Sequence, residues 1–126
     1  MFELTPDQIC VMSDGMIKLN IFTTDWVKYQ INPFIQTDGH KTEYYRYKAP
    51  EILKLESHEA AHFTKETDIF LLGVLLYEAY NKVHPFEGGT SVKTIVNIVN
   101  NPPAPFNCKI NQNKAEIIVW MLNKEP

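Results

Sequence analysis

Residues 69–77 read Ile-Phe-Leu-Leu-Gly-Val-Leu-Leu-Tyr, an apolar run broken only by Gly73. Thr64 or Thr67 can cap the start of a helix here, and Asp68 favours its exposed N–H groups. Ile69, Leu71, Leu72, Val74, Leu75, Leu76, Ala79 and Tyr80 then place apolar groups on nearly every face. A helix of this kind is buried in the middle of a domain. The run is about half of the roughly 20 residues needed to cross a bilayer, so no membrane span is expected.

What can surround such a helix is limited by size. The chain has 126 residues, 44% of them hydrophobic, which suffices for one compact core and not for two. Its 12 Lys and Arg against 15 Asp and Glu give a formal charge of -3, and no basic run reaches three residues. Attraction to a nucleic-acid backbone is therefore excluded as the organising function. Cys10 and Cys108 lie far apart, and one pair cannot by itself define a disulfide framework or a metal site; they read as reduced, partly buried thiols. The first residues carry no basic leader before an apolar stretch, so an intracellular, cytoplasmic location is expected.

Around the central helix the pattern is mixed. Ile9, Val11, Ile17, Leu19 and Ile21 alternate about Ser13-Asp14-Gly15, as in a short hairpin with one buried face. Residues 23–47 show no sustained period and read as a long ordered loop. Pro50 fits the first turn of a short helix begun at Ala49. After the breakers of 81–89, Ser91 can cap a helix carrying Val92, Ile95, Val96, Ile98 and Val99, which Asn100-Asn101-Pro102-Pro103 stops. Residues 114–124 place Ile118, Met121 and Leu122 on one stripe, supported by Ile117 and Val119. The expected fold is mainly α, with a hairpin, a long loop and three or four helices.

The order of short motifs is more specific. Ile17-Lys18-Leu19-Asn20-Ile21-Phe22-Thr23, Tyr47-Lys48-Ala49-Pro50-Glu51, Thr67-Asp68-Ile69-Phe70-Leu71-Leu72-Gly73-Val74, His84-Pro85-Phe86 and Trp120-Met121-Leu122-Asn123-Lys124-Glu125-Pro126 follow one another along the chain. They resemble successive landmarks of the C-terminal lobe of eukaryotic-type protein kinases. The resemblance implies that residues 1–126 form a partial kinase-like domain, the C-lobe alone, without the N-lobe and the final C-lobe helices. It implies structural duties for Ala49, Pro50, Glu51, Asp68 and Gly73. The carboxylate matching Asp68 caps N–H groups of the catalytic loop, the glycine matching Gly73 permits close helix packing, and the acid matching Glu51 pairs with an arginine that would lie beyond Pro126.

The resemblance also supplies a chemical test. Phosphoryl transfer needs an acid or base at the acceptor hydroxyl, magnesium ligands and a phosphate clamp. Residues 1–9 resemble the catalytic loop, with Glu3 at the catalytic aspartate position and Gln8 at the position of a metal-binding asparagine. Phe2 replaces the arginine and Thr5 the lysine. The added methylene of Glu3 and of Gln8 alters reach, and a displacement near 1 Å is costly to catalysis; a surface loop is the plainer reading of both. Ile21 stands where the family has its metal-binding aspartate and offers no oxygen to magnesium. No glycine-rich phosphate loop precedes the strands. The resemblance thus implies a pseudokinase-like module that works through a protein partner and uses no cofactor. ATP and magnesium enter only under the alternative of a divergent kinase completed by further sequence.

His58-Glu59-Ala60-Ala61-His62 competes as a zinc-peptidase pattern, with two ligands four residues apart and an intervening base. A third ligand is needed, and Glu78 is the nearest distant candidate, several helical turns away. A loop or local helical turn is therefore preferred for this motif. Tyr44, Tyr45, Tyr47, Val83, Pro85 and Phe86 are the candidate contact residues.

Overall fold

The computed structural model describes residues 6–20, 45–54 and 64–125. A 3-10 turn, Pro6–Gln8, leads into an antiparallel pair of short strands, β1 (Ile9–Val11) and β2 (Ile17–Leu19). Ile9 faces Leu19, Cys10 faces Lys18 and Val11 faces Ile17. Asp14 closes the turn by accepting the Met16 N–H at 2.9 Å, and Gly15 supplies the positive φ of 82° that the reversal requires. The alternation does not produce a buried face: Val11, Ile17 and Leu19 are all exposed. Strands of three residues are too short to build a face that packs on anything by themselves.

Four helices follow among the described residues: α1 (Pro50–Leu53), α2 (Lys65–Asn81), α3 (Ser91–Asn100) and α4 (Gln112–Met121). Pro50 occupies the first turn of α1, where its missing N–H costs nothing. Thr64 caps α2 and Thr67 returns the favour, each side chain accepting the other residue's backbone N–H. The two candidate caps are thus halves of one capping box. Thr90, not Ser91, caps α3 by accepting the Lys93 N–H at 3.3 Å. Asn111 caps α4, which starts earlier than its apolar stripe.

The fold is mainly helical and α2 is its buried centre. Phe70, Val74 and Tyr77 of α2 join Ala49, Phe86, Ile98 of α3, and Ile118 and Leu122 of α4 and its C-cap in one cluster. Leu72, Ala79 and Tyr80 face outward, so the helix is not buried on every side. Ile117 and Val119, the supporting members of the α4 stripe, are exposed as well. The α2–α4 approach is set by Gly73. A Cβ there would lie 2.8 Å from Met121 Cβ and 3.1 Å from Leu122 Cδ2, closer than packed carbons tolerate. Gly73→Ala would gain about 1 kcal/mol in helix propensity and lose about 1–3 kcal/mol to overpacking. The expected net result is a loss of stability, read as a lower urea midpoint at unchanged slope.

Candidate functional site

The stretch from Tyr45 to Ala49 leads into α1 and is held by side chains from the far end of α2 and the turn after it. Arg46 Nη2 donates to Glu87 in an ion pair, and the Arg46 carbonyl accepts from His84 Nε2 at 2.7 Å. Since His84 Nδ1 accepts the Phe86 N–H at 3.1 Å, the ring is neutral with its proton on Nε2. His84 is only 2% exposed, and burial, the largest cause, pulls its pKa down to about 4. The Tyr47 hydroxyl donates to the Glu78 carboxylate at 3.3 Å. Burial pushes the Glu78 pKa up, against the pull of that bond and of Arg46. Glu87 is held below the usual carboxylate range chiefly by the Gly89 N–H.

A cavity lies where α1, the start of α2 and the end of α4 meet. Glu51 accepts from Thr67 Oγ1 at 3.0 Å, which ties α1 to the cap of α2. Glu51, Glu66, Ile69, Phe70, Trp120, Met121, Asn123 and Glu125 line a cavity of about 210 Å3. Its lining combines Ile69, Phe70, Trp120 and Met121 with the carboxylates of Glu51, Glu66 and Glu125. Asp68, in the first turn of α2, is half-buried, and burial raises its pKa.

The candidate residues fall into separate groups. Glu51, Asp68 and Gly73 belong to α1 and α2, with Ala49 and Pro50 fully buried at the entry to α1. Gln8 ends the 3-10 turn and is 6% exposed, so it is buried and not part of a surface loop; its carbonyl accepts the Asn20 N–H at 2.7 Å. Glu3, Ile21, Tyr44, His58, Glu59 and His62 lie outside the described residues. Among the described residues no three His, Cys, Asp or Glu side chains converge as a metal site. Cys108 is half-buried, whereas Cys10 is exposed, and both thiols are free. Among the described residues no helix is long and apolar enough to cross a membrane.

Short motifs did not reveal the network at Arg46. Its members are separated by 31 to 41 residues and meet only when α2 packs against the segment before α1. Tyr47 and His84 each stand in a motif, but nothing in the sequence pairs them with Glu78 or Arg46.

The architecture coincides with a family comparison. The protein kinase domain model matches residues 8–126. The chain belongs to the protein kinase family. A serine/threonine-protein kinase of Arabidopsis thaliana is 34% identical over 83 residues, covering 65% of this chain and 14% of the relative. The STE20-related kinase adapter protein strd-1 of Caenorhabditis elegans is 32% identical over 85 residues, 67% of this chain and 21% of the relative. The serine/threonine-protein kinase PknA of Corynebacterium glutamicum is 25% identical over 124 residues, 98% of this chain and 25% of the relative. The kinase-like chain therefore spans no more than about a quarter of the length of these relatives.

Proposed function

We infer that the chain is a noncatalytic, pseudokinase-like module that acts by binding another protein. The observation that carries this reading is Ile21, a hydrocarbon side chain at the position matching the family's magnesium-binding aspartate. Rotation cannot supply the missing oxygen, and the substitutions at Glu3 and Gln8 compound the loss. One relative bears the name of a kinase adapter, which fits a kinase fold used for contact.

Among the contact candidates, Tyr45 and Val83 are exposed and Tyr47 is half-buried. Pro85 and Phe86 are buried and belong to the core, so they leave the contact set. The contact surface proposed is accordingly the one around Tyr45, the Arg46–Glu87 pair and Val83.

The alternative, a divergent kinase in which Glu3 acts once further sequence completes the lobe, draws on the relatives named as serine/threonine kinases. Incubation of a longer chain, completed by that further kinase-lobe sequence, with ATP, magnesium and a protein acceptor separates the two. The expected result is no transfer of the terminal phosphate above the protein-free rate. Transfer that disappears in Glu3→Gln would establish the kinase reading in its place.

A further inference from the structure

The link from α3 to α4 begins Asn101-Pro102-Pro103-Ala104-Pro105-Phe106 and belongs to no helix or strand. Each proline fixes its own φ at about −65°, and Asn101, Pro102 and Ala104 each precede a proline, which turns them away from helical backbone. Asn101 is extended accordingly, with φ −112° and ψ 148°. These constraints favour polyproline II, which has three residues to the turn and no internal hydrogen bonds.

Burial along the link follows the same period of three. Pro103 and Phe106 are half-buried, whereas Asn101, Pro102, Ala104 and Pro105 are exposed. In a three-residue turn Pro103 and Phe106 share one edge, and Pro102 and Pro105 share another. The inner edge is seated on α2: the Phe106 ring lies 4.8 Å from that of Tyr77 and 6.5 Å from that of Tyr80. The backbone is pinned as well, since the Ala104 N–H donates to the Pro85 carbonyl at 2.9 Å. The Tyr77 hydroxyl donates to the Ala104 carbonyl at 3.0 Å and reaches that of Pro105 at 3.2 Å. Stopping α3 requires only Pro102, and no packing contact requires a proline at the exposed position 105. Among the described residues no bond is made to the carbonyls of Pro102 and Pro103, which stay open as acceptors.

We propose that the exposed Pro102–Pro105 ridge is a polyproline II ligand for a partner domain with an aromatic-lined groove of the WW type. Such grooves hold proline rings against aromatic side chains, and their Trp N–H and Tyr O–H groups donate to the ligand's carbonyls. The ridge offers both parts: two rings one turn apart, about 9 Å along the axis, and open carbonyls between them. The fold already fixes the segment, so binding does not have to order it. From Asn101 to Cys108 the chain carries no charged residue, so recognition rests on rings and carbonyls and changes little with salt. The ridge is separate from the surface around Tyr45, and the inference holds whether or not the chain transfers phosphate.

The test titrates the intact chain into an isotope-labelled, isolated WW domain of the kind that reads Pro-Pro-x-Pro, with the groove amides followed by nuclear magnetic resonance. Saturable shifts confined to the groove are expected, with a midpoint little changed by added salt. Pro105→Ala removes an exposed ring and should weaken binding about tenfold. Its circular dichroism and urea midpoint should match the parent's, which separates a lost contact from a lost fold. Tyr77→Phe leaves every ridge side chain in place and removes only the pin on the Ala104 and Pro105 carbonyls, so it should weaken binding by a smaller factor, about threefold. Groove amides that do not move with the parent chain, or shifts that Pro105→Ala leaves unchanged, would overturn the proposal. Full affinity in Tyr77→Phe would overturn the part played by the pinned backbone.

Discussion

Tyr77→Ala is expected to lower the urea midpoint more than any other single substitution considered for this chain. The side chain is 1% exposed, in the middle of α2, and its ring packs on Phe106 at 4.8 Å between centroids. Its hydroxyl donates to the Ala104 carbonyl at 3.0 Å and reaches that of Pro105 at 3.2 Å. Burial raises its pKa, so the phenol stays protonated and remains a donor. Removing a buried aromatic ring of this size costs about 3–5 kcal/mol. Total stability of a small domain is about 5–15 kcal/mol, so that loss removes a large share of it.

Tyr77→Phe separates the ring from the hydroxyl. It keeps the packing and strips the donor from the segment joining α3 to α4, at an expected cost of about 1–2 kcal/mol. The same segment is held by the Asn107 N–H, which donates to the buried Asn81 side chain at 3.1 Å, and by the Ala104 N–H to the Pro85 carbonyl at 2.9 Å. Tyr77→Phe should therefore loosen the segment without freeing it. Urea denaturation followed by far-UV circular dichroism gives both costs, and equal losses for the two variants would show that the hydroxyl, not the ring, carries the effect.

Elements whose causes are local could be read from the chain. The Thr64–Thr67 box, Pro50 at the first turn of α1, and the breakers after α2 are each set by neighbours within a few residues, which a single sequence contains. The same locality explains the misses. Thr90 and Ser91 are both hydroxyl residues, and only the extended backbone of Thr90 makes it the cap. Alternation in β1 and β2 indicates strands and says nothing about what covers them, which is why their exposure was not foreseen. Neither the Arg46–Glu87 pair nor the contact of Lys124 Nζ with the Phe86 ring, 3.4 Å from its centroid, has a local cause. They depend on residues far apart in sequence that only the packed helices bring together. For catalysis the position is reversed: Ile21 lacks an oxygen whatever surrounds it, so its side-chain chemistry is legible from the order of motifs alone.

Acidification should weaken the molecule through His84 more than through any surface group. In the unfolded chain this imidazole titrates near 6.5, and in the fold near 4, because burial and the Phe86 N–H require the neutral ring. Its contribution is whole above 6.5. As pH falls from there toward 4, the unfolded chain takes up a proton that the native ring refuses, and stability drops by about 3 kcal/mol over the window. Glu78 and Asp68, whose pKa values are raised by burial, work in the opposite direction because their folded forms accept protons first. The comparison must therefore be made against a variant. His84→Asn retains an acceptor for the Phe86 N–H and loses the donor to the Arg46 carbonyl, an expected cost of about 1–3 kcal/mol at neutral pH. Between 6.5 and 4 its stability should fall less steeply than that of the parent, so the two curves converge. Parallel curves would mean that the ring accepts its proton without leaving the core, and that the link between the Tyr45–Ala49 stretch and the turn after α2 survives protonation.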